Sequence, residues 1–361
     1  MEQALTAEVA ATRFDRLGGV VPLLVEGSTL LGGHGMDLVR SVDTGASFER
    51  VARMPGHPAL RAASHLRVPA RLLRAGLHAL CRTPQGGLVA TVRGAIMSSP
   101  AEGEPFVEVH TVTRGTRPLN VAADRHGVFF GEYFSNPDRD AVHVYGSDDG
   151  TAFAPVHTFP AGAIRHVHGI WPDRFRDGLW VLTGDRDAEC GLWFTNDGFR
   201  SLERVAGGTQ RTRAVYVIPE ADGLVVPTDT PQERNVIQWF DPADGSFTDL
   251  APAAGSVFYG ARGKRVSLLS TVVERSSVNP VREVFVYASR DGHRWREIAC
   301  LQADLLGGRR GRWFRYPQVT FAQGEGSGFL YGGAVSLRGL DGRLLRWNED
   351  ALVAALAEAG A

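Results

Sequence analysis

The sequence predicts an all-β protein, a seven-bladed β-propeller of four-stranded antiparallel blades. Three observations predict it: a repeated phrase, a pattern of short strands and a glycine-rich composition. A short phrase of a hydroxyl residue, Asp and Gly recurs along the chain. Its later copies start roughly 47 residues apart, a period typical of repeated supersecondary units. Alternating and β-branched segments between the copies give about four strands per unit. The 361 residues include 43 glycines, which suits many short strands joined by turns. We therefore expect one propeller domain over residues 1–361, with six blades as the alternative count.

The repeated phrase has the chemistry of a hairpin turn. Its full version is S-V-D-T-G-A-S-F at residues 41–48; shortened copies begin at Ser147, Thr195 and Ser289, and a degenerate one at Asp244. Asp accepts hydrogen bonds from nearby backbone N–H groups, Gly adopts a positive φ, and the closing aromatic or Leu side chain packs under the hairpin. The phrase resembles the Asp-box, or BNR repeat, of sialidases and related propellers. That resemblance implies that the turns lie on the rim opposite the functional face.

Seven units follow when the strands are assigned in chain order. The first strands are predicted at Val20–Gly27, His78–Thr83, Leu119–Asp124, Arg165–Ile170, Arg213–Ile218, Val257–Arg262 and Tyr316–Ala322. The second strands are predicted at Thr29–His34, Gly87–Gly94, Gly127–Phe134, Gly178–Asp185, Gly223–Asp229, Val266–Glu274 and Gly328–Val335. Third strands lead into the Asp-Gly turns, and fourth strands follow those turns.

The last unit is predicted to be completed by a strand from the other end of the chain. Its third strand, Arg343–Trp347, runs into an Ala- and Leu-rich helical pattern at Glu349–Ala359, so it lacks a fourth strand of its own. We expect the N-terminal segment near Ala11–Leu17 to supply that outer strand and close the ring. Closure and radial repetition also protect the edges of the sheets.

Composition excludes several classes of function. The net charge is −1, so no overall field favours nucleic acid or a membrane surface. Three cysteines, Cys81, Cys190 and Cys300, lack the spacing of a metal site and predict reduced thiols. No apolar segment is long enough to span a membrane, and Met1–Arg13 lacks the pattern of a signal peptide. We therefore expect a cytoplasmic protein.

Polar residues gather at the starts of first strands and the ends of second strands, which share one rim of a propeller. His166 and His168 lie two residues apart on one strand, so their side chains share a face. His34 and Glu274 hold equivalent places in units one and six. The candidate catalytic residues are Glu132, Tyr133, His166, His168, Asp185, Glu189 and Asp229. The candidate substrate-binding residues are Arg93, Arg165, Arg211, Arg213, Arg315 and Tyr316.

The longest connections predict an anionic ligand. Residues 55–77 and 303–314 each join a fourth strand to the next first strand, and both are rich in arginine. Long connections in compact domains are often lids or binding loops. Arginine binds carboxylate or phosphate through two parallel hydrogen bonds. The expected partner is an acidic carbohydrate or another anionic small molecule.

Two classes of function remain open. The first is a glycoside hydrolase or lyase, because the candidate carboxyl groups supply an acid and a base or nucleophile, while His or Tyr could act as the base of a lyase. The R-I-P motif of sialidases is missing; the nearest match, Val217-Ile218-Pro219, lacks the arginine. The second class is a non-catalytic propeller that binds a glycan, peptide or protein on the same rim.

A metal site is a further hypothesis. His166 and His168, together with a carboxylate from Glu132, Asp185 or Glu189, would offer nitrogen and oxygen ligands suited to Zn²⁺ or Mn²⁺. Without such an ion the chain is expected to need no cofactor, since it has no phosphate-binding loop before a helix.

Overall fold

The protein is a seven-bladed β-propeller, as the sequence predicts. The computed structural model describes residues 14–307 and 315–358. These residues form seven separate sheets, and neighbouring strands within the main four-stranded part of each sheet are antiparallel. The count of seven sheets rules out the six-bladed alternative. The predicted arginine-rich segment 303–314 is described only as far as residue 307, and Met1–Arg13 lies outside the described residues.

In blades one to six the four main strands run from the axis outward in chain order. The first strand, β1 (Asp15–Arg16), belongs to blade seven. Blades one to three are built from β2 (Val21–Gly27), β3 (Thr29–His34), β4 (Asp37–Ser41), β5 (Glu49–Arg53); β6 (Ala79–Arg82), β7 (Leu88–Val92), β8 (Ala95–Ser99), β9 (Val107–Thr111); and β10 (Ala122–Asp124), β11 (Gly127–Gly131), β12 (Val142–Ser147), β13 (Ala154–Phe159).

Blades four to seven follow the same plan. Their strands are β14 (His166–Asp173), β15 (Gly178–Gly184), β16 (Gly191–Thr195), β17 (Glu203–Gly207); β18 (Ile218–Pro219), β19 (Leu224–Pro227), β20 (Val236–Asp241), β21 (Ser246–Pro252); β22 (Val257–Arg262), β23 (Ser267–Thr271), β24 (Glu283–Ser289), β25 (Arg296–Gln302); and β26 (Gln318–Phe321), β28 (Phe329–Val335), β29 (Leu344–Asn348). An extra strand, β27 (Gln323–Gly326), leaves blade seven and pairs in parallel with β2 at the inner edge of blade one.

Helices are few and short. The connection between blades one and two carries α1 (Pro58–Ser64) and α2 (Arg67–Leu73), where the sequence predicts only a long loop. The chain continues from blade seven into α3 (Glu349–Glu358), which lies within the predicted C-terminal helix. Two single 3₁₀ turns, Asp187–Glu189 and Gln210–Thr212, flank the functional rim. Within the described residues, none of the helices has the length and apolar character of a membrane-crossing segment.

The ring is closed by the N-terminal segment. Strand β1 pairs antiparallel with β29, with Asp15 opposite Arg346, and so becomes the outer strand of blade seven. The Arg346 guanidinium donates to Asp15 at 2.6 Å and to the backbone oxygen of Thr44 at 2.8 Å, which ties the closing strand to blade one as well. The predicted closure is confirmed for the described part of its range, and residues 11–13 lie outside it.

The core consists of seven apolar clusters, one between each pair of neighbouring blades. Trp180 of blade four and Phe240 of blade five are fully buried in one such cluster, and Trp347 of blade seven packs against blade six in another. Each blade therefore contributes both of its faces to packing, which explains the largely apolar second strands. No blade buries its apolar faces without its two neighbours.

The Asp-Gly turns share one backbone geometry. Gly45, Gly150, Gly198, Gly245 and Gly292 all have positive φ, between 71° and 88°, as the hairpin chemistry requires. In the full copy the Ser41 hydroxyl donates to Asp43 at 2.7 Å and accepts the N–H of Gly45 at 2.8 Å. The closing side chains Phe48, Phe153, Leu202 and Trp295 all pack against apolar clusters.

Candidate functional site

The site begins where blade four meets the functional rim. His166 is the first residue of β14, and Asp185 immediately follows β15, so the antiparallel pairing of His166 with Gly184 brings the two strand ends together. A β-bulge between Val167 and Gly169 leaves His168 as the extra residue. Bulges of this kind re-aim side chains next to functional sites. Both imidazoles are buried, and their ring centroids lie 5.0 Å apart.

Each imidazole is held through its Nδ1 atom. His166 Nδ1 lies 3.1 Å from the carbonyl oxygen of Phe134, and His168 Nδ1 lies 3.1 Å from that of Ala214. A carbonyl oxygen can only accept a hydrogen bond, so both Nδ1 atoms carry a proton. The Nε2 atoms face Asp185: His168 Nε2 is 3.4 Å from Asp185 Oδ1, and His166 Nε2 is 3.8 Å from the same oxygen.

Asp185 is the centre of this cluster. Arg165 Nη1 donates to its Oδ2 at 2.8 Å, and Arg213 Nη2 approaches its Oδ1 at 3.0 Å. Burial opposes ionisation of Asp185, but its contact with His168 and the guanidinium charge of Arg213 outweigh burial and hold its pKa far below its usual range. Burial lowers the pKa of His166 to about 3, so this ring is neutral at physiological pH.

Two further carboxyl groups lie beside this cluster, and their pKa values are raised, unlike that of Asp185. Asp229 is buried at the end of blade five, 3.5 Å from Arg213 Nε, and burial raises its pKa. Glu274 follows β23 in blade six; burial and the neighbouring Asp229 raise its pKa to about 7. The Tyr133 ring lies 4.2 Å from the His166 ring, and burial followed by the charge of Glu274 raises the pKa of its hydroxyl. Neighbouring positions on this rim therefore hold both an ionised carboxylate and a carboxyl group that is protonated near neutral pH.

A cationic cluster, formed by Arg74, Arg93, Arg117 and Arg315, occupies the side of the rim next to blades two, three and seven. Burial and the charge of Arg315 lower the pKa of Arg117 to about 9, and burial lowers that of Arg315. The four guanidinium groups form no ion pair with any described residue. Arg117 Nε is enclosed and has no hydrogen-bond partner there. Four cations thus lie together without a counter-ion in the described part of the chain, an arrangement that favours a nearby anion.

Tyr259 and His78 connect the cationic cluster to the central channel. The charges of Arg315 and Arg117 act on the buried Tyr259 hydroxyl, and burial together with Arg117 lowers the pKa of His78. Tyr259, His78 and Arg315 line a cavity of about 310 Å³ whose walls are mostly apolar and include Trp171 and Phe321. The channel can therefore take an apolar or ring-shaped group whose charged end lies at the rim.

Unsatisfied polar atoms concentrate at this site. Ten enclosed side-chain nitrogen or oxygen atoms in the described residues lack a hydrogen-bond partner, and four of them belong to Arg117, Arg165, Arg213 and Asp229. Buried polar groups in native proteins are nearly always hydrogen-bonded, so such a concentration indicates the place of a ligand or water.

The structure brings together a subset of the residues that the sequence singled out. Tyr133, His166, His168, Asp185, Asp229, Arg165 and Arg213 surround the central cluster. Arg93 and Arg315 belong to the cationic cluster, where Arg93 also donates to the Leu73 carbonyl oxygen at 2.7 Å. Tyr316 is half-buried in the segment leading to β26.

Three predicted residues lie away from the central cluster. Glu132 forms a two-pronged ion pair with Arg114 and accepts the His143 N–H at 2.8 Å, facing the space between blades two and three. Glu189 is ion-paired with Arg139 at 2.7 Å and accepts backbone N–H groups of the 185–189 turn, so it shapes that turn.

Arg211 is the third of these residues. It is ion-paired with Asp249 at 2.6 Å on the outer part of blade five, and its guanidinium lies over the Phe247 ring. Its charge is therefore neutralised away from the channel.

Sequence reasoning missed Arg117 and gave Glu274 no role. Arg117 lies just before the predicted first strand of blade three, and Arg165, Arg213 and Arg315 lie at or just before the predicted starts of the first strands of blades four, five and seven. This recurrence was a usable signal. It was obscured because nearly every basic residue in the chain is arginine: Lys264 is the one lysine.

Comparisons with known proteins agree on the fold. No protein-family model and no curated protein matches the chain in sequence. Solved structures match it widely. One is the YCF48 protein bound to a D1 peptide, with 11% identity over 93% of this chain and 94% of that one at a TM-score of 0.52.

Two larger proteins match over part of their length. The extracellular domain of the BT4673 one-component system of B. thetaiotaomicron is 12% identical over 94% of this chain and 43% of that one, at a TM-score of 0.55. A GH74 enzyme of Niastella koreensis is 13% identical over 91% of this chain and 53% of that one, at a TM-score of 0.51. The chain thus spans about half of these two structures. Similarity at this level of identity concerns the fold alone: the chain is a seven-bladed β-propeller.

Proposed function

We propose that the protein is a carbohydrate-active enzyme that cleaves a glycosidic bond in an acidic glycan at the rim of the central channel. The observation that carries the proposal is the cationic cluster without an ion pair among the described residues, on the same rim as a group of carboxyl groups. The cluster would hold a sugar carboxylate, because Arg117 and Arg315 are positioned to neutralise an anion that no described residue supplies.

The carboxyl groups supply the chemistry in this proposal. Glycosidic cleavage needs one carboxyl group that donates a proton and a second that is ionised. Glu274, with a pKa of about 7, suits the donor, and the ionised Asp185 suits the second role. A lyase would instead remove the proton next to the sugar carboxylate with a His or Tyr side chain as the base. The similarity to a GH74 enzyme concerns the fold and is compatible with either reaction.

The resemblance of the turns to the Asp-box belongs to the same proposal. Five turns with the same Gly geometry support assignment to the sialidase-like group of propellers, while the absent R-I-P motif argues against sialidase activity itself. The first test is therefore a screen of uronate-containing oligosaccharides beside neutral ones. New reducing ends without ultraviolet absorbance would indicate a hydrolase, and the absorbance of an unsaturated uronate would indicate a lyase.

Arg117→Met tests the anion receptor. A charge-assisted hydrogen bond contributes about 1.5–3 kcal/mol, so we expect the dissociation constant for a uronate oligosaccharide to rise roughly 10- to 150-fold by calorimetry. The melting temperature should stay equal or rise, because the substitution removes an enclosed and unpaired charge. The matched control is Arg211→Met, an exposed arginine already paired with Asp249. Equal losses in the two variants, or none in either, would remove the receptor role.

A non-catalytic binding protein is the second candidate, favoured by the mostly apolar channel below the rim. The variant Glu274→Gln distinguishes an enzyme from a binding protein. In an enzyme it should lower kcat by roughly 10²- to 10⁴-fold with little change in affinity. In a binding protein no uronate oligosaccharide would be turned over by the parent chain, and Glu274→Gln would change only affinity.

A further inference from the structure

We propose that His166, His168 and Asp185 bind one first-row divalent metal ion at the rim of the channel. One ligand atom from each residue can be chosen so that all three lie within 4.8 Å of one another. Ligand atoms that share an ion at bond lengths of about 2.0–2.1 Å lie roughly 3–4.2 Å apart. The two distances from Asp185 Oδ1 to the imidazole Nε2 atoms, 3.4 Å and 3.8 Å, fall in that range.

The orientation of the imidazoles points both Nε2 atoms at one place. Both Nδ1 atoms are held at backbone carbonyl oxygens, so the Nε2 atoms are the ones available as ligand atoms. Both Nε2 atoms face Oδ1 of Asp185. A metal ion at this place would be bound by both Nε2 atoms and by Asp185.

The surroundings hold the rings as metal ligands are usually held. Metal-binding histidines commonly donate their second N–H to a backbone carbonyl oxygen, which fixes both tautomer and ring orientation. A Cβ added to Gly184 would lie 2.6 Å from His168 Cε1, so glycine at this position leaves room for the ring. The bulge at His168 turns the second ring toward the first. The site is thus built before any ion arrives.

Charge balance also permits a cation. Arg165 and Arg213 share Asp185, which weakens attraction of a metal to that carboxylate. Asp229 and Glu274 oppose them, since both act electrostatically on His168.

The donor set selects the class of metal. Two imidazole nitrogens and one carboxylate oxygen suit Mn²⁺, Fe²⁺, Co²⁺ or Zn²⁺, whereas Mg²⁺ and Ca²⁺ prefer oxygen ligands alone. Three protein ligands leave coordination positions open for water or for an oxygen of a bound ligand. This proposal goes beyond the glycan-cleaving function and is independent of it, because metal binding is measured without any sugar.

The test is a titration of the chelator-treated full chain with Mn²⁺, Co²⁺ and Mg²⁺. We expect one Mn²⁺ or Co²⁺ per chain by calorimetry, little binding of Mg²⁺, and a visible Co²⁺ spectrum typical of nitrogen and oxygen ligands. Pulsed electron paramagnetic resonance of the Mn²⁺ form should show modulation from two imidazole nitrogens in the unaltered protein. That measurement needs no variant, so misfolding of a variant cannot obscure it.

Variants then assign the ligands. His166→Asn and His168→Asn should each weaken Mn²⁺ binding at least roughly 100-fold, more than the loss of an outer-shell partner usually costs. The matched control, His293→Asn, changes an exposed imidazole that stacks on Trp239 and should bind Mn²⁺ normally. The proposal is overturned if the parent chain binds no stoichiometric Mn²⁺ or Co²⁺. It is also overturned if bound Mn²⁺ shows no imidazole modulation, or if folded histidine variants bind as well as the control.

Discussion

Asp185 and Glu274 face one rim, yet their surroundings drive the two carboxyl groups to opposite protonation states. Asp185 has two guanidinium groups within 3.0 Å and stays ionised. Glu274 is half-buried near Asp229, and the opposing charge of Arg213 also acts on both aspartates, so Glu274 keeps its proton up to a pH of about 7. Pairs of carboxyl groups held apart in this way are how enzymes obtain an acid and a base from one residue type.

The raised pKa of Glu274 predicts how stability depends on pH. Its value moves from 4.5 to about 7 on folding, so the folded state binds the proton more tightly than the unfolded state does. The favourable contribution is complete below pH 4.5 and is lost as pH rises through 7, a change of roughly 3 kcal/mol in the free energy of unfolding. In Glu274→Gln this dependence between pH 4.5 and 7 should vanish, as measured by urea unfolding at several pH values. An unchanged pH profile in the variant would contradict the assignment.

Neighbouring residues show how far the sequence could go toward the site. The strand-end rule correctly gathered His166, His168 and Asp185 at one rim, because their positions follow from alternation and blade order alone. It could not choose between Glu132 and Tyr133, which point to opposite sides of one strand end. The structure turns Tyr133 toward His166 and leaves Glu132 to Arg114, an arginine that lies 18 residues earlier in the preceding connection.

At the scale of single elements, the hairpin turns of blades one, three and four are each held by a buried hydroxyl group of their own. In blade three the Ser147 hydroxyl accepts the N–H of Gly150 at 3.0 Å, and Thr195 and Ser41 hold the equivalent position in blades four and one. The hydroxyl satisfies an N–H group that would otherwise be buried without a partner.

Ser147→Ala should therefore destabilise the protein by about 1–2 kcal/mol, because it leaves the Gly150 N–H unsatisfied. Ser147→Thr is the matched control and should be nearly neutral, since threonine already fills the same place at Thr195. The measurement is the free energy of unfolding in denaturant. If Ser147→Ala and Ser147→Thr are equally stable, the hydroxyl does not hold the turn.

Strand pairing was predictable in outline and not in detail. The turn phrases locate the hairpins between third and fourth strands, yet blades one to six each carry a register shift between those two strands. A bulge follows from the local twist of the outer strands, which the period of polar and apolar residues does not record. The two helices between blades one and two were also missed, because Pro58 and Pro69 argue against a helix in a short, arginine-rich connection.

In the whole molecule, each blade depends on its two neighbours for its stability. Seven apolar clusters link seven blades, so no blade has a core of its own. The number of blades could be counted from the sequence because each unit repeats its strands and its turn. The closure by the N-terminal segment could be inferred because unit seven lacks an outer strand.

A chain that begins at Gly18 should be less stable than one that begins at Phe14. The shorter chain loses β1, the contact of Phe14 with Trp347 and the ion pair of Asp15 with Arg346, a cost of roughly 2–4 kcal/mol after chain entropy is counted. Thermal unfolding should show a lower midpoint for the shorter chain. Identical midpoints would mean that β1 does not secure the ring.

The parallel strand β27 affects the channel itself. In a pore with perfect seven-fold repetition, a molecule could bind in seven equivalent rotational orientations about the axis. Because β27 lines the wall beside blade one alone, with Gln323, Gly324 and Glu325 at its surface, the pore has one side unlike the other six. If the channel takes a ligand as proposed, the shape of this wall would make one rotational orientation of that ligand differ from the others.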